Sequence, residues 1–353
     1  MDNLKHLGKT GIAVPEIGIG TMGIGGYFTK DMSHDAFHIQ VLRKSIDAGM
    51  TFIDTAELYA KGHAEQLIAE AVDGIRDKVF IASKVAPEHL RYNDVIKSAE
   101  GSLRRLRTEY IDFYQIHWPN PAVNLRETLS AMRYLIGVGK IKHVGVCNFS
   151  LRELILAKEL ANELEFDIVS NQVEYNLFNR TIEDDILPYC QKNGITVIAY
   201  SPLDKGNHNK YKELEPIARK YQKTVAQLIL AWIVSHKNVI AVVKSEHHIT
   251  ENASVDFELK KEDIEYINNT YKTTVLEIPA NKILANSEGL DKYIPGIPQL
   301  AQSILEGTIL KPIRVKHIGN GIYQLVEGKA RYWAHIHAHG KKVLINSLVA
   351  GEK

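Results

Sequence analysis

TFIDTAELY (residues 51–59), VFIASK (79–84) and YIDFYQIH (110–117) decide how this chain is read. Each opens as a short apolar run of the kind a strand buried on both faces requires. Each then leaves a polar or titratable group where the run ends: Asp54, with Tyr59 in the loop beyond it, Lys84 and His117. In a parallel α/β barrel the C-terminal ends of the strands form the mouth where chemistry is done. Four such groups at successive strand ends therefore point to a site.

Five further runs, EIGIG (16–20), HVGVC (143–147), IVSNQV (168–173), TVIAY (196–200) and VIAVV (239–243), bring the strand candidates to eight. Amphipathic stretches lie between them, among them HDAFHIQVLRKSIDAG (34–49), HAEQLIAEAV (63–72), VIKSAEGSLRRL (95–106), LRETLSAMRYLIGVG (125–139), LRELILAKEL (151–160) and IEDDILPYCQKNG (182–194). Several end at glycine, as the position after a helix prefers. Alternating strand and helix predicts a parallel sheet, and eight uninterrupted repeats predict closure into a (β/α)8 TIM barrel. LKHLGKTGIAV (4–14) reads as a hairpin turning at Gly8 to Gly11, a plug for the barrel bottom.

The rhythm changes after about residue 270. A linker-like NNTYKTTV (268–275) leads to EIPANKI, a helix candidate at 298–305, strand-like PIRVKHI and GIYQLV, a helix ending at Gly340, and a last strand in KVLINSLV. The expected division is a barrel over 1–270 and a small α+β domain over 276–353. A barrel of about 250 residues plus a second module accounts for all 353 residues.

Charge is balanced, 43 Lys and Arg against 42 Asp and Glu, so no global field draws the chain to nucleic acid or membrane. Cys147 and Cys190 have no metal-type spacing and fall in apolar contexts, as buried thiols of a reducing, cytoplasmic compartment do. The N-terminal MDNLKHLGKTG is too polar for a signal peptide, and VAQLILAWIV (225–234) is too short to span a bilayer.

The four strand-end groups make a proton-delivery set. A free tyrosine, with a pKa of about 10, is a poor acid at neutral pH. An ammonium beside it favours phenolate and lowers that value towards the operating pH. Lys84 must stay charged, and Asp54 can hold it so; His117 can hydrogen-bond a carbonyl oxygen and the tyrosine hydroxyl. Alone, a strand-end Asp is more often a helix cap, a Lys a solvated charge and a His a satisfied structural group. Their coincidence reverses that reading. Later strand ends supply Asn148 and Gln172, which can pair with a planar amide, and Tyr200, which can stack on a ring. Lys244 and Ser245 beside a helix start suit a phosphate. Amide, ring and phosphate together describe a nicotinamide dinucleotide.

These residues, in this order, closely resemble the aldo-keto reductase superfamily over roughly residues 4–257. The motifs are LGKTG, AGMTFIDTAELY, the SK of IASK, YIDFYQIHWP, GKIKHVGVCNF, QVEYN, AYSPL and VVKS. The resemblance implies NAD(P)H-dependent reduction of small aldehydes or ketones, NADPH being the expected cofactor and NADH a second one. It implies Tyr59 as proton donor, Lys84 and Asp54 as its activating pair, and His117 as orienter of the carbonyl. Gly20 and Thr21 would lie along the cofactor, Asn148 and Gln172 would hold its carboxamide, and Tyr200 would stack on the nicotinamide. Ser201 and Leu203 would line the pyrophosphate, Lys244 and Ser245 would hold the 2′-phosphate, and Glu251 and Asn252 would contact adenine. Cys147 stands where relatives place a serine, and Met22 where many carry a pocket tryptophan. His248 is the nearest match to a phosphate-binding arginine, and an imidazole lacks the arginine's permanent charge and planar fork.

Gly18, Gly20 and Gly23 spell a dinucleotide fingerprint, but no helix begins until about residue 34, so a Rossmann fold is set aside. No tyrosine has a lysine four residues on, which excludes the other common tyrosine–lysine reductase pattern. His335, His337 and His339 have no carboxylate or cysteine nearby to complete a metal site. Residues 276–350 resemble a ParB/sulfiredoxin-like domain through EIPANKI and the PIRV and YQLVEGKAR segments. That resemblance implies a nucleotide-phosphate turn at Gly328, Lys329 and Arg331; Ala330 interrupts the doubly basic version and the sulfiredoxin cysteine is missing. The module is only mildly basic, which disfavours DNA. The alternative to an enzyme is a nucleotide-sensing barrel with a regulatory tail, and an intact tetrad argues against it.

Overall fold

The computed structural model describes residues 4–206, 211–244, 246–271, 274–285, 297–306, 310 and 312–349. It divides into two compact units, one of Met1–Asn176 with Ile182–Asp263, the other of Leu177–Thr181 with Ile264–Lys353.

The first unit opens with an antiparallel hairpin, β1 (Leu4–His6) and β2 (Ala13–Pro15). Eight parallel strands follow: β3 (Ile17–Gly20), β4 (Phe52–Asp54), β5 (Phe80–Val85), β6 (Ile111–Ile116), β7 (Ile141–Cys147), β8 (Ile168–Glu174), β9 (Thr196–Tyr200) and β10 (Val239–Val243). They pair in sequence order, and β10 closes on β3 to complete a barrel. Helices α1 (Asp35–Asp47), α2 (His63–Ala71), α3 (Tyr92–Leu106), α4 (Leu125–Gly137), α5 (Leu151–Glu163), α6 (Ile186–Asn193), α7 (Glu215–Lys220), α8 (Val225–Ser235) and α9 (Ile249–Ala253) join them. Ser150 with Glu153, and Thr224 with Gln227, close reciprocal capping boxes on α5 and α8. Gly194, at φ 66°, ends α6 in a left-handed turn.

The barrel bottom is filled by Phe52, Ala82, Phe113, Val169, Ile198, Ile240 and Val242, with Leu7 and Val14 of the hairpin packed into the same cluster. The hairpin is a plug, as its sequence predicts. A Cβ on Gly8 would lie 2.9 Å from the Val169 carbonyl oxygen, so only glycine lets the turn sit so close. Strand alternation does the rest. Along β5, Ala82 joins the interior cluster while Ser83 reaches outward to Glu65 of α2.

Helix α10 (Lys261–Thr270) precedes a five-stranded sheet ordered β11-β15-β13-β14-β12. Its strands are β11 (Thr274–Pro279), β12 (Ile283–Leu284), β13 (Ile313–Gly319), β14 (Ile322–Glu327) and β15 (Leu344–Val349), with α11 (Ile297–Leu305) and α12 (Lys329–His339). Ile278, Ile283, Ile297, Ile313, Val315, Tyr332 and Trp333 form its core. The segment expected as a linker at 268–275 is regular at both ends. Its first residues finish α10, directly after fully buried Ile267, and its last residues begin β11. No helix among the described residues is long and apolar enough to cross a membrane.

Candidate active site

Asp54 is the last residue of β4, and backbone pairing places it beside Gly20 of β3 and Ala82 of β5. Thr21 is buried and donates both its backbone N–H and its hydroxyl to the Asp54 carbonyl oxygen, each at 3.0 Å, which fixes that strand end. Lys84 lies within β5, one residue short of its end, because a lysine stem carries the ammonium to the mouth from deeper in the wall. Its side chain is wholly buried. Nζ donates to Asp54 Oδ2 at 2.8 Å, to the Thr55 carbonyl at 2.9 Å and to the Tyr59 hydroxyl at 3.3 Å. His117 directly follows β6, and its ring meets the Tyr59 ring edge-on at 5.7 Å. The structure thus brings together all four groups of the tetrad.

Their electrostatics follow from burial. Burial alone would push Lys84 down, but the Asp54 carboxylate, with Tyr59 adding to it, outweighs that and holds the ammonium above its ordinary range. Burial pushes the Tyr59 phenol up to about 12, with Lys84 pulling against it. The sequence-level expectation of a lowered tyrosine is therefore corrected: the ammonium acts in the expected direction and desolvation is larger. Tyr59 holds its proton firmly at neutral pH. His117 is lowered to about 2, first by burial and then by Lys84, so it is a neutral imidazole. Its Nδ1 is buried with no partner among the described residues, which is cheaper as a lone pair than as an N–H and argues for the hydrogen on Nε2.

Asn148, Gln172 and Tyr200 gather on the same mouth. Asn148, at φ 64°, donates Nδ2 to the His117 carbonyl at 3.1 Å and accepts from the Tyr200 hydroxyl at 2.9 Å. Gln172 Nε2 donates to Asp54 Oδ1 at 2.8 Å, across the barrel from the opposite wall. The Cys147 thiol donates weakly to Gln172 Oε1 at 3.6 Å. Ser201, at φ 51°, and partly buried Leu203 begin the loop after β9.

A second group follows β10. Lys244 pairs with Glu246 at 3.1 Å and lies over the Tyr27 ring at 5.4 Å. His248 is exposed and pairs with Glu251 at 3.0 Å, while Glu251 also accepts from Thr224 at 2.6 Å. Asn252 is buried, and its side-chain oxygen has no partner among the described residues. Ser245 lies outside the described residues. The Gln172–Asp54 bond and the Glu246 partner of Lys244 are absent from the sequence reading. The first joins residues 118 apart; the second was legible as a carboxylate two positions past the lysine.

Arg331 of α12 donates to the Pro312 carbonyl at 2.7 Å, and Gly328, at φ 98°, opens that helix. No cluster of three or more potential metal ligands occurs among the described residues, His335, His337 and His339 included.

Residues 16–272 match the aldo/keto reductase family. The chain belongs to that family. Curated relatives within it include methylglyoxal reductase YeaE of Escherichia coli, 37% identical over 74% of this chain and 92% of its own length. Glyoxal reductase of Bacillus subtilis is 34% identical over 73% and 89% respectively. Among solved aldo/keto reductases, the thermostable Tm1743, in complex with the inhibitor epalrestat, superposes with a TM-score of 0.72 at 42% identity, covering 75% of this chain and 98% of that one. An enzyme from Klebsiella pneumoniae in complex with NADP and acetate gives 0.70 at 36%, covering 77% and 96%.

Proposed function

We propose that this chain is an NADPH-dependent reductase of small aldehydes and ketones. The observation that carries the reading is the buried Lys84 ammonium, bonded at once to Asp54 and to the Tyr59 hydroxyl, with neutral His117 beside them. The residues fit a nicotinamide dinucleotide. Asn148 and Gln172 offer amide groups beside the tetrad, and the orphaned Asn252 oxygen accepts a donor such as an adenine amino group. Gly20, Thr21, Tyr200, Ser201 and Leu203 complete the nicotinamide and pyrophosphate side, and Lys244, Ser245, His248 and Glu251 the adenosine side. Reduced nicotinamide, when bound, supplies a hydride.

Tyr59 is the proton source in this reading. A phenol with pKa near 12 keeps its proton until an oxygen more basic than phenolate develops beside it. As the carbonyl oxygen gains charge, Tyr59 passes its proton and Lys84 holds the resulting phenolate. His117 donates from Nε2 to the same oxygen and fixes its direction. Trp118 stacks on His117 at 3.9 Å, and it is exposed together with Met22, Tyr27 and Phe28. These apolar faces on the loops after β3 and β6 would form the substrate wall. The relatives' names make α-oxoaldehydes such as methylglyoxal the first substrates to assay.

Loss of reduced-nicotinamide absorbance with an aldehyde panel tests the activity. Tyr59→Phe should lower kcat at least 100-fold while the NADPH Kd stays within about two-fold, since general acid catalysis contributes roughly that much. Substantial turnover by the variant would refute the mechanism.

For the region beyond the barrel we propose a ParB-like accessory module over 276–353, set apart from a reductase domain over 1–270. Positive-φ Gly328 at the start of α12, with Lys329 and Arg331 in its first turn, supports a nucleotide phosphate there. A thermal-shift screen of the full chain with ATP and CTP tests it: a shift lost on Arg331→Ala supports the module's role, and no shift with either removes it.

A further inference from the structure

Tyr59 does not sit on a strand. It lies five residues past β4, so its hydroxyl is held by loop backbone: on the entry side Thr55 and Glu57 donate their N–H groups to the Ala82 and Lys84 carbonyls, and on the exit side the chain depends on residues 59–62. That backbone is unusual. Ala60 and Lys61 have φ of 50° and 55°, and Gly62 has φ of 85°: three successive left-handed residues, two of them bearing a Cβ. Such a turn persists only where its surroundings enforce it.

On one side the Ala60 N–H donates to the Tyr27 carbonyl at 2.8 Å. On the other lies Arg105 of α3. A Cβ on Gly62 would fall 2.4 Å from Arg105 Nε, and one on Gly101 would fall 3.0 Å from Nη1. The guanidinium therefore runs between two glycines, flush against the turn that carries Tyr59. Its Nε donates at 2.6 Å to Glu65, and Nη2 donates at 3.1 Å to Ser102. Glu65, in the first turn of α2, is fully buried, and its other oxygen accepts from Ser83 at 2.6 Å. Ser83 is the residue before Lys84. A single buried carboxylate thus fastens the segment leaving Tyr59 to the strand bearing Lys84, with Arg105 bracing both.

We propose that Arg105 and Glu65 are a positioning pair that sets the 3.3 Å approach of Tyr59 to Lys84, and with it the delivery of the Tyr59 proton. The inference rests on the reductase reading for its kinetic consequence and on geometry alone for its structural one. The bland alternative is an ion pair that only stabilises the packing of α2 on α3. That role would alter unfolding and leave the tyrosine's surroundings and the proton step untouched.

Arg105→Lys keeps the charge but loses the planar fit beneath Gly62 and the bond to Ser102. Because Arg105 also lines a polar cleft with His63, Gln66 and Arg104, a lysine there can rehydrate. Glu65→Gln keeps hydrogen-bonding groups towards Ser83 and Arg105, and serves as the second variant should the first not fold. In chain labelled with 13Cζ-tyrosine and free of added cofactor, the resonance that Tyr59→Phe deletes belongs to Tyr59. We expect it to move in either folded variant. With NADPH and methylglyoxal, kcat should fall on the order of ten-fold, a charged hydrogen bond's worth of geometry. The solvent deuterium isotope effect on kcat should rise, and the NADPH Kd should stay within about two-fold.

An unmoved Tyr59 resonance in a variant with a lowered Tm would overturn the proposal. So would a comparable loss of NADPH binding, which would mark general distortion of the barrel. Absence of turnover by the unaltered chain would instead count against the reductase reading, and the resonance would still decide the positioning one.

Discussion

Replacing Asp54 by asparagine isolates what holds Lys84 charged. The ammonium is completely buried, and its anionic partner is Asp54 at 2.8 Å. Its remaining described hydrogen bonds go to the Thr55 carbonyl and the Tyr59 hydroxyl, which are neutral. Asp54→Asn removes the opposing charge and keeps nearly the same shape. Breaking one side of a buried pair costs roughly 3–5 kcal/mol, because the surviving ion is left uncompensated. For a unit of this size that is a fall of about 10 °C in Tm near pH 7.

The pH dependence fixes the cause. In the natural chain the folded Lys84 pKa lies above its ordinary value, so its stabilisation is complete below about pH 10.4 and fades only as pH rises through the folded pKa. In the variant, burial, the largest influence on Lys84, is no longer offset by the carboxylate, and the folded pKa drops below the unfolded one. The unfolded chain then binds a proton that the folded chain does not, so stability rises with pH up to about 10.4. The Tm deficit should therefore narrow between about pH 7 and pH 9.5, by at most about 1.4 kcal/mol per pH unit. Paired thermal melts of the two proteins across that range are the assay. A deficit under about 2 °C, or one that does not change with pH, would refute the claim that Asp54 sustains the charge on Lys84.

Two further outcomes follow from packing and charge. Glu246→Gln frees Lys244 from a carboxylate that would repel a 2′-phosphate, so the NADPH Kd should fall roughly two- to five-fold, bounded by the partial exposure of the pair. Fluorescence titration with NADPH and NADH checks it, and an equal change for both cofactors would show that the lysine does not read the phosphate. Gly145→Ala would place a Cβ 2.4 Å from Phe113 Cζ and 2.7 Å from Ser170 Oγ inside the barrel wall. Overpacking of that kind costs about 1–3 kcal/mol, read as a lowered urea midpoint; an unchanged midpoint would mean the wall yields freely.

The barrel was legible because parallel strands buried on both faces must be written as apolar runs, and the tetrad because each run stops on a group that burial alone would not choose. Position within a strand was less legible. Lys84 lies inside β5 and Gln172 inside β8, since long side chains reach a mouth from residues that do not end a strand. The direction of the Tyr59 shift was misread because it is a balance between one visible charge and a burial no local sequence displays. Residues 268–270 read as linker because their polar composition hides a helix end; they lie inside α10, where Asn268 accepts from Arg180 at 3.0 Å. The Arg105–Glu65–Ser83 brace joins three elements whose proximity exists only after the barrel closes.

The stacking of Trp118 on His117 has an optical consequence. The chain has three tryptophans, and they occupy three different environments. Trp118 is 40% exposed at the mouth, Trp232 is sealed within α8, and Trp333 is buried in the core of the second unit. Excited at the indole band, the first should emit furthest to the red and transfer energy to any reduced nicotinamide bound nearby. The other two should emit to the blue and act as internal reporters of their own units. Three single-tryptophan versions would therefore let the melting of each unit and the filling of the mouth be watched separately, one reporter per protein.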